Sequence, residues 1–125
     1  MQIYTSRYAN RSIEKYHLSV YGISLYHVRH KTAFKIEGYL KELAPTRDMF
    51  GLPYNIYRPK YLAILNKLGV DRIRELLLSV TDGKDVVLLC FEDLRKPDKW
   101  CHRRIFAEWW QEQTGEKVKE LQEYE

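Results

Sequence analysis

The sequence predicts one α/β domain built on a small, mainly parallel sheet, and three observations carry that expectation. Val86 to Cys90 is an apolar run without a polar position, as in a strand covered on both faces rather than half-exposed to water. A polar loop follows, and then Ile105, Phe106, Trp109 and Trp110 recur at helical spacing. The length of 125 residues suits a single domain over residues 1–125, long enough to bury a core.

The remaining elements follow in chain order. Ile3 to Thr5 reads as a first strand, with Ser6 and Arg7 at its end. Asn10 or Ser12 can cap a short helical segment through Tyr16. Val20 to Val28 is rich in β-branched and aromatic residues and predicts a second strand, with Gly22 at its start or at a bulge and Arg29, His30 and Lys31 clustered at its far end. Thr32 to Phe50 lacks periodicity, and Gly38, Pro45 and Gly51 argue for a long loop with a helical piece around Tyr39 to Leu43. Pro59 is a favourable opening for a helix bearing Leu62, Leu65 and Leu68, which Gly69 stops. Asp71 caps a second helix with the stripe Ile73, Leu76, Leu77 and Val80, and Asp82-Gly83 turns the chain into the central strand. Asp98 is the expected N-cap of the last helix, which puts Cys101 near its third position, and Gly115 ends it. Val118 and Leu121 point inward from a final edge strand.

Composition narrows the function classes. No apolar run approaches the roughly 20 residues that span a bilayer, and the start lacks a charged region followed by an apolar one. A soluble, cytoplasmic protein without a membrane partner is expected, as a monomer or as a homodimer that could use Trp109 or Trp110. The two cysteines, Cys90 and Cys101, are too sparse for a secreted disulfide framework, so reduced thiols are expected. The net charge of +4 is uneven: 19 Lys and Arg face 11 Asp and Glu through Arg104, whereas 2 face 6 from Ile105 onward. A positive field over the first part favours an anionic ligand such as a nucleotide or nucleic acid; scattered surface cations that only solvate the fold are the plainer alternative.

In open α/β sheets ligands bind where strands end and helices begin. Glu92 stands at the end of the central strand, and Cys101, His102, Arg103 and Arg104 arrive together near the next helix start. A thiol in that electropositive setting is a nucleophile candidate, and the alternative is a small packed hydrophobe. His102 suits general acid–base work, with Glu92 orienting it. The competing reading is a buried polar lock in which Glu92 bonds His102 or Arg103. Arg103, Arg29 and Arg7, with Ser6 beside them, would ring the strand ends as anion ligands. Tyr54, Tyr57, Tyr61 and Trp100 can stack on bases, with Arg58, Lys60 and Lys99 on phosphates, although Tyr57 and Tyr61 also fit core packing at i,i+4. No resident cofactor is predicted. Zinc on Cys90, Cys101 and His102 is the alternative, weakened because adjacent helical residues project about 100° apart. No dinucleotide fingerprint, P-loop, nucleophile elbow or cysteine-phosphatase loop is present.

The string VVLLCFE followed by CHRRIFAEWW resembles the signature of the domain of unknown function 488 family, an apolar strand ending in Cys-x-Glu and then Cys-His-Arg opening a helix. Tyr4-Thr5-Ser6-Arg7, Gly22-Ile23-Ser24-Leu25 with Arg29, and Leu43-Ala44-Pro45-Thr46 extend the likeness over nearly the whole chain. The resemblance implies a single-domain Rossmann-like three-layer sandwich and no particular reaction. This chain departs from it at His27, where many members carry an acidic residue two positions before the strand-end arginine.

Overall fold

An apolar strand needs hydrogen-bonding neighbours on both edges and cover on both faces. A computed structural model describes residues 1–124 and supplies all four to Val86–Cys90. The strands are β1 (Ile3–Arg7), β2 (Ser19–Gly22), β3 (Gly38–Tyr39), β4 (Val86–Cys90) and β5 (Lys119–Glu120), in the order β3-β2-β4-β1-β5. Every pairing is parallel, and Ile3 and Ser19 both stand opposite Val86. The fold is therefore α/β on an all-parallel, Rossmann-like sheet, as the sequence predicts.

Alternation along β4 divides the core. Val86 and Leu88 face α1 (Tyr54–Leu68), α2 (Val70–Thr81) and α3 (His102–Thr114), whose Tyr61, Leu65, Ile73, Leu77, Phe106 and Trp110 share one buried cluster. Val87 and Leu89 join Tyr8, Ile13, Val20 and Leu121 on the other face. That layer is a 3-10 turn, Arg11–Lys15, together with partly buried Val28, Phe34 and Ile36 from the loop after β2. Asn10 caps the turn by accepting from Ser12 N–H at 2.9 Å.

Several boundaries differ from expectation. β2 ends at Gly22 instead of running to Val28, because the Ser24 hydroxyl donates to the Tyr26 carbonyl at 2.7 Å and offers the backbone a local alternative to the ladder. Two-residue β3 and 3-10 turns at Lys41–Leu43 and Arg47–Met49 interrupt the expected long loop. α1 begins five residues before Pro59: the Pro53 carbonyl accepts from Ile56 and Tyr57, while Pro59, which has no N–H to give the Asn55 carbonyl, lies with Asn55 on the exposed side. Gly69, at φ 81°, ends α1 and opens α2 directly, so Asp71 is inside the first turn rather than its cap. Cys101, not Asp98, is the N-cap of α3. Trp109 and Trp110 are both buried in the chain's own core, which removes them as a dimer face. Among the described residues no helix is long and apolar enough to cross a membrane.

Gly22 marks a close approach between β2 and the layer beneath it. A Cβ there would run into Tyr8 Oη and meet Tyr39 Cδ1 at 2.5 Å, both from side chains packed under the sheet. Gly22→Ala is therefore expected to cost roughly 1–3 kcal/mol by overpacking. Urea unfolding checks it; an unchanged midpoint would mean that Tyr8 and Tyr39 swing aside freely.

Candidate functional site

The segments leaving β2 and β4 diverge at their carboxyl ends and enclose a cleft of about 420 Å³. Ser24, Leu25 and Tyr26 line one side, Cys90, Phe91 and Glu92 the other, and Met49 to Leu52, Tyr57 and Asp98 to His102 close it. This is where a parallel sheet leaves room for a ligand. Its walls are aromatic. Trp100 meets Tyr57 edge-on at 4.7 Å between ring centroids and Tyr54 at 5.2 Å, while exposed Tyr26 and Phe50 stack on each other at 5.4 Å. Burial raises the Tyr57 phenol above its ordinary range and keeps it neutral. Tyr61 is not part of the wall: it is fully buried and donates to the Leu43 carbonyl at 2.6 Å.

The Cys-His-Arg segment is divided between the cleft and the core. Cys101, as N-cap, is extended at φ −149° and ψ 152°, so its side chain does not follow helical spacing relative to His102. Its Sγ stands 3.6 Å from His102 Nδ1. Cys90 and Cys101 form a disulfide, contrary to the expectation of reduced thiols. In this state neither sulfur is a thiolate. The bridge joins the end of β4 to the start of α3, two elements that the packed sheet already holds face to face.

His102 Nε2 lies 2.6 Å from the Ile23 carbonyl. A carbonyl only accepts, so Nε2 carries the proton and Nδ1 presents a lone pair toward Cys101. Burial lowers the His102 pKa to about 4, with the Arg103 charge adding to the effect against the opposing Ile23 bond. The folded protein thus holds His102 neutral while the unfolded chain takes up a proton below about 6.5. Stability from this group is complete above about pH 6.5 and falls as the pH drops toward about 4, by roughly 3 kcal/mol across the window. Chelator-treated wild type and His102→Phe, unfolded in urea from pH 7 to 4, test this: the variant is expected to lose much of the slope, and an identical slope would place the titration elsewhere.

The predicted anion ring is not assembled at the cleft. Arg103 is fully buried and grips Glu120 through Nε and Nη2 at 3.0 and 2.7 Å, while its Nη1 donates to Cys90 Sγ at 3.0 Å. Arg7 is paired with Glu123 at 2.8 and 3.0 Å, which raises its pKa further, and lies 3.7 Å from Asp93. Ser6 is buried and accepts from Asn10 Nδ2 at 2.9 Å. Arg29 is exposed in the loop, seven residues past the end of β2. None of the four lines the cleft. The cause is the acidic carboxyl-terminal segment, whose Glu120 and Glu123 neutralise two of the arginines. Glu92, by contrast, lines the cleft with no hydrogen-bond or ion-pair partner among the described residues, so it orients neither His102 nor Arg103. Lys99 is the cation of the cleft wall.

Sequence reasoning missed Tyr26, Phe50 and Phe91, three large exposed aromatics at the cleft. Their signal was positional: Phe91 directly follows the central strand, and Phe50 precedes a glycine in a loop.

These features define a Rossmann-like α/β domain with an aromatic cleft at the carboxyl ends of its parallel strands. The chain belongs to the DUF488 family: residues 1–114 match DUF488-N3a, described as the active DUF488-N3 subclade. No curated protein and no solved structure matches the chain. The matched span includes every residue lining the cleft and stops before Glu120 and Glu123.

Proposed function

We propose that the cleft binds a nucleotide, free or as part of a nucleic acid, and that the protein is an enzyme acting on it by acid–base chemistry with Glu92. The observation that carries this reading is a carboxylate without a partner among the described residues, in a cleft whose walls are aromatic. The Tyr26–Phe50 and Tyr57–Trp100 pairs offer rings for a base to stack on, because every base has a face to stack. Lys99 supplies the charge for a phosphate, the role first assigned to Arg7, Arg29 and Arg103: Arg7 and Arg103 are held by Glu123 and Glu120, and Arg29 does not line the cleft. Glu92 accepts or returns the proton at the reacting atom. His102, neutral, borders the site. Cys101 can act as nucleophile only after reduction of its disulfide. The description of the matched subclade as active favours catalysis over binding alone.

The test is a thermal-shift panel of nucleosides, nucleotides and short oligonucleotides against wild type and Trp100→Leu. A nucleotide that raises the melting temperature of wild type and not of the folded variant supports the reading. Stabilisation by oligonucleotides alone, steeply salt-dependent and equal in both proteins, would favour a nucleic-acid-binding module on another surface. No shift with any ligand would sink the proposal.

A further inference from the structure

We infer that reduction turns Cys90, Cys101 and His102 into a zinc site of the catalytic kind, with its open coordination position facing the cleft. The ligand atoms of the three residues lie within 4.8 Å of one another, and all three side chains are buried. Spacing along a helix argued against this trio. The extended backbone of Cys101 removes that objection, since its sulfur and the His102 imidazole are not fixed at helical positions.

The imidazole is already set as a ligand. With Nε2–H held by the Ile23 carbonyl, Nδ1 offers its lone pair beside Cys101 Sγ. A second-shell acceptor on the far nitrogen is the usual way a protein orients a metal-bound histidine. The spacing of the cysteines also suits a metal bridge. Their Cα atoms are 7.3 Å apart, whereas disulfide-linked pairs usually fall at about 4.4–6.8 Å. An ion bound at about 2.3 Å from each sulfur holds the two sulfurs about 3.8 Å apart and so spans a wider gap.

Charge and chemistry agree. Two thiolates neutralise a divalent ion, and Arg103 Nη1 donates to Cys90 Sγ from the core side. Thiolate with imidazole favours zinc over harder cations. Three protein ligands leave the fourth position to water or substrate, and Cys90, Cys101 and His102 all line the cleft. Glu92, outside the trio and in the same cleft, is then placed to take a proton from a bound water.

The disulfide is the oxidised form of the same site. An external dithiol reduces it, the dithiol becoming a disulfide while two electrons and two protons pass to Cys90 and Cys101. Zinc then binds both sulfurs and releases those two protons to solvent. The inference deepens the proposed function by adding an electrophile at Glu92, but metal binding is read without any nucleotide, so either can fail alone.

Cobalt(II) is the probe. The full chain is reduced with a dithiol, freed of it under argon and titrated with cobalt. Thiolate charge-transfer bands in the near ultraviolet and intense four-coordinate visible bands are expected to saturate at one ion per chain and to vanish on adding zinc. Cys90→Ser, Cys101→Ser and His102→Ala, each checked for folding by circular dichroism, are expected to weaken cobalt binding by roughly tenfold or more. Diamide-oxidised wild type, which carries no substitution, is expected to show no such bands. Reduced, folded wild type without thiolate bands would overturn the inference, as would bands that persist in the oxidised protein.

Discussion

Arg103→Met is expected to lower the free energy of unfolding by roughly 3–5 kcal/mol, the range for breaking a buried ion pair by removing one partner. Arg103 is buried completely and makes bonds to Glu120 on the edge strand and to Cys90 on the central strand, so one side chain ties α3 to both. Glu120 keeps the Thr5 hydroxyl at 2.8 Å and partial contact with water, which places the loss toward the lower end of that range. Urea unfolding measures it. The double variant Arg103→Met/Glu120→Gln should recover part of the loss, because the stranded carboxylate is gone. A loss below about 1 kcal/mol would mean that Arg103 is no lock.

Glu92→Gln is expected to behave in the opposite way. Its carboxylate has no hydrogen-bond or ion-pair partner among the described residues, so stability should change by less than about 0.5 kcal/mol. If Glu92 moves the proton, turnover of the bound nucleotide should fall by about 10²–10⁴. The measurement is product formation from the nucleotide identified by thermal shift, in wild type and variant side by side. Unchanged turnover with unchanged stability would remove Glu92 from the chemistry.

The contrast between these two residues shows how far the sequence could be read. The central strand was legible because burial on both faces leaves a run with no polar position, and Val86 to Cys90 has that pattern. The helices were legible from their stripes, and Gly69 and Gly115 marked their ends through positive φ. The strand after Val20 was misjudged in length because aromatic, β-branched composition continues through Val28 while a single serine hydroxyl diverts the backbone at Ser24. Arg7 and Arg103 carry the same charge in the sequence as any ligand-binding arginine. Only the return of Glu120 and Glu123, more than a dozen residues distant from either, shows that both are satisfied internally. Pairing across the fold is not a local property. The aromatic wall has the same origin, since Tyr26, Phe50 and Trp100 come from three separate loops.

Amide chemical-shift mapping of the isotope-labelled chain, titrated with the nucleotide that stabilises it most, tests the cleft most directly. The proposed function predicts shifts concentrated at residues 24–26, 50–52, 91–92 and 99–102, with the Trp100 indole among the largest. Shifts that avoid these segments and gather around exposed lysines and arginines elsewhere, or their absence at saturating nucleotide, would contradict it.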